Sequence, residues 1–356
     1  MHLLVCDEAL EIRGVLIEAR VPFLVDRHWV PVEVASSVSL APFVSHKCFS
    51  PCADWNQRRI LVIRNGGFGD LLLLRPLLSE LRRRWQSTHI ALCRGAEYAD
   101  AVDIELVDEQ VDYPVTAAEA AMYDGILEFE DAEGFSVAER VEHLADAFAG
   151  AAGIKLVDRT ISLRLDPVRA KSLAQRFPRE NGVARVGVQL SASNIVRSYP
   201  LALLKQVVGT LAERRHQVLL FGRPGEALFS APAGVIDITA VRPFLTFADS
   251  MTALASCDVV VVPDSSLCHV AGALGVPAVA LFGPFPSRLR TADYLRTIAI
   301  DGNAPCAPCF HHTRSGQEFP ENGPCKATGR CEALAAITPS EIVQRTEELI
   351  AGTEKR

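Results

Sequence analysis

Residues 59–78 read RILVIRNGGFGDLLLLRPLL, and the fold class follows from this stretch. Ile60, Leu61, Val62 and Ile63 form a short apolar run of the kind that fills a fully buried parallel strand. Gly66, Gly67 and Gly69 then break it, and a leucine-rich helical segment follows. A strand, a glycine turn and a helix in that order place backbone N–H groups and the positive end of a helix dipole at the carboxyl edge of a sheet, where an anion is favoured. Asp70 stands at that helix start and reads in two ways, as a helix-capping carboxylate or as a general base held over a phosphate site. The spacing G-G-x-G is not G-x-G-x-x-G, and no Gly-Lys-Ser/Thr follows, so nicotinamide and ATP binding gain little support.

The chain has 356 residues, 49% of them hydrophobic, which is enough for two domains with their own cores. A net charge of −7 without a long basic run argues against nucleic acid as the main partner, and Arg82-Arg83-Arg84 reads as the solvated end of a helix. The opening MHLLVCDEALEIRG lacks a basic start and carries Asp7 and Glu8, so no export signal is read. Apolar stretches such as Val259–Pro263 and Pro277–Phe282 fall far short of the roughly 20 residues that span a bilayer. The expectation is a cytoplasmic protein with at most peripheral membrane contact, whose ten cysteines stay reduced unless they bind metal.

Residues 1–57 read as an N-terminal extension, a small β-containing module or arm with strands over Val15–Ile17 and Trp29–Val34. Its Cys48 and Cys52 have C-x3-C spacing, a weak metal signal. From Arg59 a βα series begins, with Leu77, Leu78, Leu81 and Trp85 at helical spacing, then strands over His89–Cys93 and Gly125–Phe129 and a helix over Ala138–Ala152. Leu163–Arg179, with Pro167 and Pro178, reads as the crossing to a second lobe. There Val186–Leu190, Val218–Phe221, Val259–Val262 and Ala278–Phe282 read as strands, with helices over Leu201–Arg214, Met251–Ser256 and His269–Leu274. The expected class is α/β, two Rossmann-like doubly wound lobes over residues 58–175 and 176–335, closed by a helix in 336–356.

Three further segments carry chemistry. In Val260–Pro286 a buried strand delivers Asp264, Ser265 and Ser266 to its carboxyl end, and a helix with His269 follows; this suits a diphosphate, or it is plain helix capping with a packed histidine. In QLSASNIVRSYP, residues 189–200, Ser191 and Ser193 can donate to phosphate oxygens and Arg197 can neutralise a leaving diphosphate, although an arginine at a helix start is by default solvated. Cys306, Cys309, Cys325 and Cys331 have the spacing C-x2-C-x15-C-x5-C, close to a four-cysteine structural site for zinc or iron, or else are four reduced thiols; His311 and His312 between them read as hydrated.

Strand plus RNGGFGD, then SASNIVRSYP, then PDSSLCHVAGALGVPAVALFGP, in that order over about Arg59 to Val343, resembles glycosyltransferase family 9, the ADP-heptose:lipopolysaccharide heptosyltransferases and their relatives. The resemblance implies a GT-B fold with the donor in a cleft between two lobes, and metal-independent, inverting transfer from a nucleotide-diphosphate sugar without a catalytic cofactor. It implies Asp70 as base and Arg197 in the place of the family's lysine. The implied donor-binding set is Gly67, Gly69, Ser191, Ser193, Gly222, Asp264, Ser265, Ser266 and His269. Arginine for lysine keeps the charge but changes its geometry, and Ser266 for glycine narrows the loop. The chain also resembles heptosyltransferases that modify autotransporter adhesins, which carry an iron-bound four-cysteine motif. The acceptor is therefore expected to be a lipopolysaccharide-core saccharide or a protein hydroxyl, with homo-oligomers in view. Two other readings stand beside this one: a GT-B nucleotide-sugar epimerase, and a non-catalytic sugar-nucleotide-binding or assembly protein.

Overall fold

The computed structural model describes residues 1–26, 29–31, 33–42, 49–102, 104–130, 141–226, 229–311, 319 and 323–353. The chain divides into two compact units, Met1–Arg159 and Thr160–Arg356.

The N-terminal unit opens with β1 (His2–Cys6), β2 (Leu10–Ile12), β3 (Val15–Ile17), β4 (Phe23–Val25) and β5 (Val38–Pro42). It continues with β6 (Arg59–Ile63), β7 (His89–Arg94), β8 (Glu109–Asp112), β9 (Val115–Thr116) and β10 (Gly125–Glu128). β2 and β3 form a hairpin across Arg13 and Gly14, both at positive φ (51° and 78°), the conformation that two-residue hairpin turns require. β10, β6, β7 and β8 pair in that order, all parallel. The strand order therefore reverses between β6 and β10, and ligands of open α/β sheets bind outside the carboxyl ends at such a switch point.

The residues read as an N-terminal extension form a β-containing module, with the expected strand over Val15–Ile17 present as β3. Its antiparallel sheet, ordered β5–β1–β4–β9, takes its last strand from beyond β8. Leu4, Ile12, Ile17, Phe23 and Leu24 share one core with Leu61 and Ile63 of β6 and Ala91 and Cys93 of β7. The strand expected over Trp29–Val34 is absent among the described residues: Trp29 N–H closes a turn on the Asp26 carbonyl at 2.9 Å, and the indole packs edge-on against Tyr113 at 5.9 Å. Tertiary burial of a large ring overrides β-propensity there. Cys48, half of the C-x3-C pair, lies outside the described residues.

The Phe68–Arg84 helix follows β6, with Leu71, Leu72, Leu73, Leu74, Leu77, Leu78 and Leu81 buried. The arginines at its end are not simply solvated, since Arg83 and Arg84 bond the buried Glu80 and Arg82 pairs with Asp108. The helix expected from Ala138 covers Leu144–Ala151, capped by His143; residues 138–140 lie outside the described set.

The C-terminal unit holds β11 (Arg185–Gln189), β12 (Gln217–Phe221), β13 (Val235–Asp237), β14 (Val259–Pro263), β15 (Ala278–Phe282) and β16 (Thr297–Asp301). They pair in the order β13–β12–β11–β14–β15–β16, all parallel, which is the doubly wound dinucleotide-fold order with its switch point between β11 and β14. Leu163–Arg179 is not an open crossing. Asp166 caps a helix over Pro167–Arg176 with proline at its first turn, and Arg169 bonds Asp249 of the Phe247–Leu254 helix at 3.0 Å. The closing helix, Pro339–Thr353, contributes Ile342, Val343 and Ile350 to the core of this unit.

Candidate functional site

Side chains with chemistry collect at the switch point of each sheet. In the N-terminal unit Gly67 is the helix N-cap and makes no side-chain cap, and the positive end of the Phe68–Arg84 helix dipole faces the carboxyl edge. Gly69 is buried in the first turn. Asp70 sits one position on, its own N–H bonded to the Gly67 carbonyl at 2.9 Å. The Arg64 guanidinium, leaving β6, donates to Asp70 Oδ2 at 2.8 Å. Gly66 is required by this pair: a Cβ there would lie 2.2 Å from Asp70 Oδ2 and 2.6 Å from Arg64 Nε. Sequence reading missed Arg64 and Gly66 as site residues, although both stand in the quoted motif.

In the C-terminal unit β11 and β14 deliver two loops to the same edge. Ser265 caps the Ser266–Leu274 helix through its backbone alone, because its hydroxyl donates to Gln189 Oε1 at 2.6 Å. Gln189 Nε2 in turn donates to the Ser191 carbonyl at 2.7 Å, which ties the two loops across the switch point. Arg197 Nη2 donates to Ser193 Oγ at 2.8 Å, and Nη1 lies 3.8 Å from Asp264 Oδ2. Arg197 Nε is buried and has no hydrogen-bond partner among the described residues. Asp264 and Ser265 are buried and the Arg197 side chain is 16% exposed, so this edge keeps a cation, a carboxylate and the positive end of a helix dipole at low solvent exposure. Such a set can bind an anion whose charge exceeds that of Asp264.

The remaining expected residues are placed as follows. Ser266 opens the helix. Gly222 follows β12, and a Cβ there would lie 2.3 Å from Glu226 Oε2, whose carboxylate also accepts from Ser191 Oγ and from the Arg223 N–H. His269 is buried, with Nδ1 2.8 Å from the Tyr294 hydroxyl and the two rings edge-on. Burial pushes the Tyr294 phenol well above its ordinary value, so the partner of His269 is neutral. Gln189, Glu226 and Tyr294 are further polar groups that spacing alone did not single out.

The four cysteines are placed by the turn after β15 and the segment after β16. Phe310 N–H bonds the Pro284 carbonyl at 2.9 Å, and a Cβ at Gly283 would lie 3.0 Å from Cys331 Sγ, so the cysteine segment packs beside the turn after β15. Cys306 shares a hydrogen bond with Cys325, and Cys331 feels both Cys325 and Cys309. Burial pushes the Cys331 thiol up to about 11. Among the described residues no group of three or more His, Cys, Asp or Glu side chains converges to hold a metal ion. His312 lies outside the described residues. Among the described residues no helix is long and apolar enough to cross a membrane.

Two successive Rossmann-like units, each carrying polar chemistry at the carboxyl edge of a parallel sheet, define an α/β protein of the GT-B class. The chain belongs to glycosyltransferase family 9 (heptosyltransferase), whose model matches residues 131–319. That span contains Ser191–Arg197, Gly222, Asp264–His269, Cys306 and Cys309, and it leaves out Asp70. Lipopolysaccharide heptosyltransferase 1 of Pseudomonas aeruginosa is 26% identical over 164 residues, 45% of this chain and 46% of that protein, so the match spans about half the length of the curated relative. Among solved structures, ADP-heptose lps heptosyltransferase II of E. coli has a TM-score of 0.62 at 16% identity, covering 83% of this chain and 99% of that one. TibC from enterotoxigenic E. coli H10407, described as an iron-containing dodecameric glycosyltransferase, has a TM-score of 0.62 at 12% identity, covering 99% of this chain and 91% of that one.

Proposed function

We propose that this protein is an inverting glycosyltransferase that moves heptose or a related sugar from a nucleotide-diphosphate donor, ADP-heptose favoured, to a hydroxyl of a saccharide or protein acceptor. Family membership supports the donor class, and one observation carries the chemistry: the Arg197 guanidinium, held by Ser193 and Asp264 at a sheet switch point with its Nε buried and unpartnered among the described residues. In this reading the acceptor hydroxyl gives its proton to the Asp70 carboxylate as its oxygen forms a bond to the anomeric carbon. The bond from that carbon to the diphosphate breaks, and the charge left on the diphosphate is taken up by Arg197, Ser193 and the N–H groups at Ser266. Asp264 and Glu226 supply acceptors for donor hydroxyls.

The test is mass-spectrometric transfer with purified protein, ADP-heptose, and two acceptors, a deacylated lipopolysaccharide core and an autotransporter passenger fragment, alongside Asp70→Asn. A heptose-sized gain on either acceptor, lost in the variant, is the expected result and identifies the acceptor class. ADP-heptose that binds without transfer to any acceptor or to water favours the binding-protein reading, and absence of ADP-heptose binding overturns the donor assignment.

The cysteine cluster enters the proposal separately. Cys306, Cys309, Cys325 and Cys331 form a donor set suited to a tetrahedral iron or zinc ion, whose part would be to cross-link the segment after β16; ligation requires the thiols to lose their protons and draw together. Elemental analysis of the purified protein, wild type against Cys331→Ser, tests it: about one metal per chain that the variant loses supports the site, and metal-free folded protein refutes it. An assembly of several copies and a cytoplasmic location remain part of the proposal, with sedimentation and cell fractionation as their tests.

A further inference from the structure

The switch point of the N-terminal sheet holds more charge than the proposed reaction uses. Arg64 leaves β6, and Glu130 stands just beyond β10, the strand on its other side. The guanidinium branches between them. Nη2 donates to Asp70 Oδ2 at 2.8 Å, while Nη1 donates to the Phe129 carbonyl at 2.7 Å and lies 3.5 Å from Glu130 Oε1. Glu130 Oε1 also accepts from the Asn65 N–H at 2.5 Å, and the Phe148 ring centroid lies 5.5 Å from the guanidinium carbon. A carbonyl, a buried carboxylate and an aromatic face thus hold Arg64 in one geometry.

Exposure grades along this chain of contacts. The side chains of Glu130, Arg64 and Asp70 are 7%, 14% and 28% exposed, so the buried carboxylate is the anchor and Asp70 is the end a substrate can reach. Gly66 belongs to the same device, since any Cβ there would strike both Asp70 Oδ2 and Arg64 Nε. We propose that Arg64, clamped by Glu130, is the positioning residue of the proposed base: by holding Oδ2 it sets the rotation of the Asp70 carboxylate and keeps it ionised for the acceptor hydroxyl. This deepens the proposed function and rests on the reading of Asp70 as the base.

Among the described residues, other titratable groups facing the link are Asp26 after β4, Glu128 of β10 and the Cys93 thiol of β7. Burial pushes the Glu130 carboxyl up, the Arg64 charge and the Asn65 N–H draw it back, and Asp26 and Glu128 push it further up. The Arg64 charge therefore favours the ionised form of Glu130, and the effects of the two residues on turnover are coupled.

The test is the pH profile of heptose transfer from ADP-heptose for wild type, Arg64→Met, Arg64→Lys, Glu130→Gln and the double variant Arg64→Met/Glu130→Gln, with thermal melts of each. Arg64→Met lowers kcat by about tenfold to a hundredfold, the scale of one hydrogen bond to a charged group. It also moves the acidic limb of the profile upward by about 1–3 in pH, because a carboxylate that loses a neighbouring guanidinium becomes a stronger base. Arg64→Lys, which keeps the charge, returns the limb towards wild type. Glu130→Gln lowers kcat alone but adds nothing in the Arg64→Met background. An unmoved limb in Arg64→Met, or equal costs of Glu130→Gln in both backgrounds, overturns the proposal. If Arg64→Met does not fold, Gly66→Ala decides by the same limb, displaced upward or not. Wild-type transfer that survives Asp70→Asn means that the base assignment itself has failed; transfer abolished by Asp70→Asn with an unmoved Arg64→Met limb means that only the positioning role has.

Discussion

Replacing Arg197 by alanine tests the C-terminal constellation most directly. Its Nη1 lies 3.8 Å from Asp264 Oδ2, and at an effective dielectric constant near 20 that separation corresponds to about 4 kcal/mol of attraction between unit charges, an upper figure before desolvation is counted. Asp264 is only 4% exposed, so removing the guanidinium leaves a buried carboxylate facing the incoming diphosphate. Two losses follow. The developing charge loses one preorganised donor, worth about a hundredfold to a thousandfold in kcat. The donor also meets an uncompensated carboxylate, which raises KM. Arg197→Lys keeps the charge but not the fork that spans Ser193 and Asp264, so its loss is smaller, about tenfold. Adding Asp264→Asn to Arg197→Ala relieves the repulsion and recovers KM and melting temperature, while kcat stays low. The assay is initial-rate mass spectrometry of sugar transfer from ADP-heptose, with thermal melts in parallel. Arg197→Ala with kcat/KM within about threefold of wild type, a difference under 1 kcal/mol, refutes the assignment of Arg197 to the diphosphate.

Three other outcomes are expected. Gly66→Ala displaces the Arg64–Asp70 pair and slows transfer at least about tenfold, with a melting temperature near that of wild type because the Cβ strikes only side-chain ends; kinetics against melts check this. Gly302→Ala has no such outlet: its Cβ would lie 2.0 Å from the Ala333 carbonyl oxygen, so backbone must move, and urea titration should show a loss of about 1–3 kcal/mol or more. Glu80 is held down to about 2, first by its hydrogen bond from Arg83, against burial and with help from Arg84. Its folded value lies below the ordinary 4.5, so its stabilisation is fully present above pH 4.5 and fades as pH falls towards 2. With both arginines partly exposed this is worth about 0.5–1 kcal/mol, and the urea midpoints of wild type and Glu80→Gln should differ at pH 7 and converge at pH 2–3.

Much of the fold was legible because its signals are local. Apolar runs ending in glycine or small polar residues gave β6, β11, β12, β14 and β15, and the parallel sheets followed from their alternation with helical spacing. The N-terminal module was legible only in part: its β character and the strand over Val15–Ile17 were read, the rest of its strands were not. Its strands are three to five residues long, and β9, which completes their sheet, comes from residues 115–116. Pro167 misled because proline marks both a helix start and a break, and the choice was made by Asp166 as cap and by packing on the Phe247–Leu254 helix. The motifs named Asp70, Ser193, Arg197, Asp264 and Ser265. Partners far off in the chain escaped, since Glu130 meets Asn65 across 65 positions and Gln189 meets Ser265 across 76. Cysteine spacing likewise reported four ligand-type residues near one another in the chain, while convergence of their sulphurs depends on how the segments around them pack.

By itself, then, the amino-acid sequence determined the strand–turn–helix junctions, the parallel character of the sheets and the residues set at the start of each critical helix. Those features follow from side-chain period, glycine placement and capping chemistry, all of which act within a few residues. Only the tertiary structure decided which carboxyl ends lie side by side. Strand order puts β10 beside β6 and β14 beside β11, and so gives Asp70 its Arg64–Glu130 anchor and Arg197 its buried Asp264. Charges act over a few ångströms of space whatever their distance along the chain, so these pairings exist only after the sheets have formed.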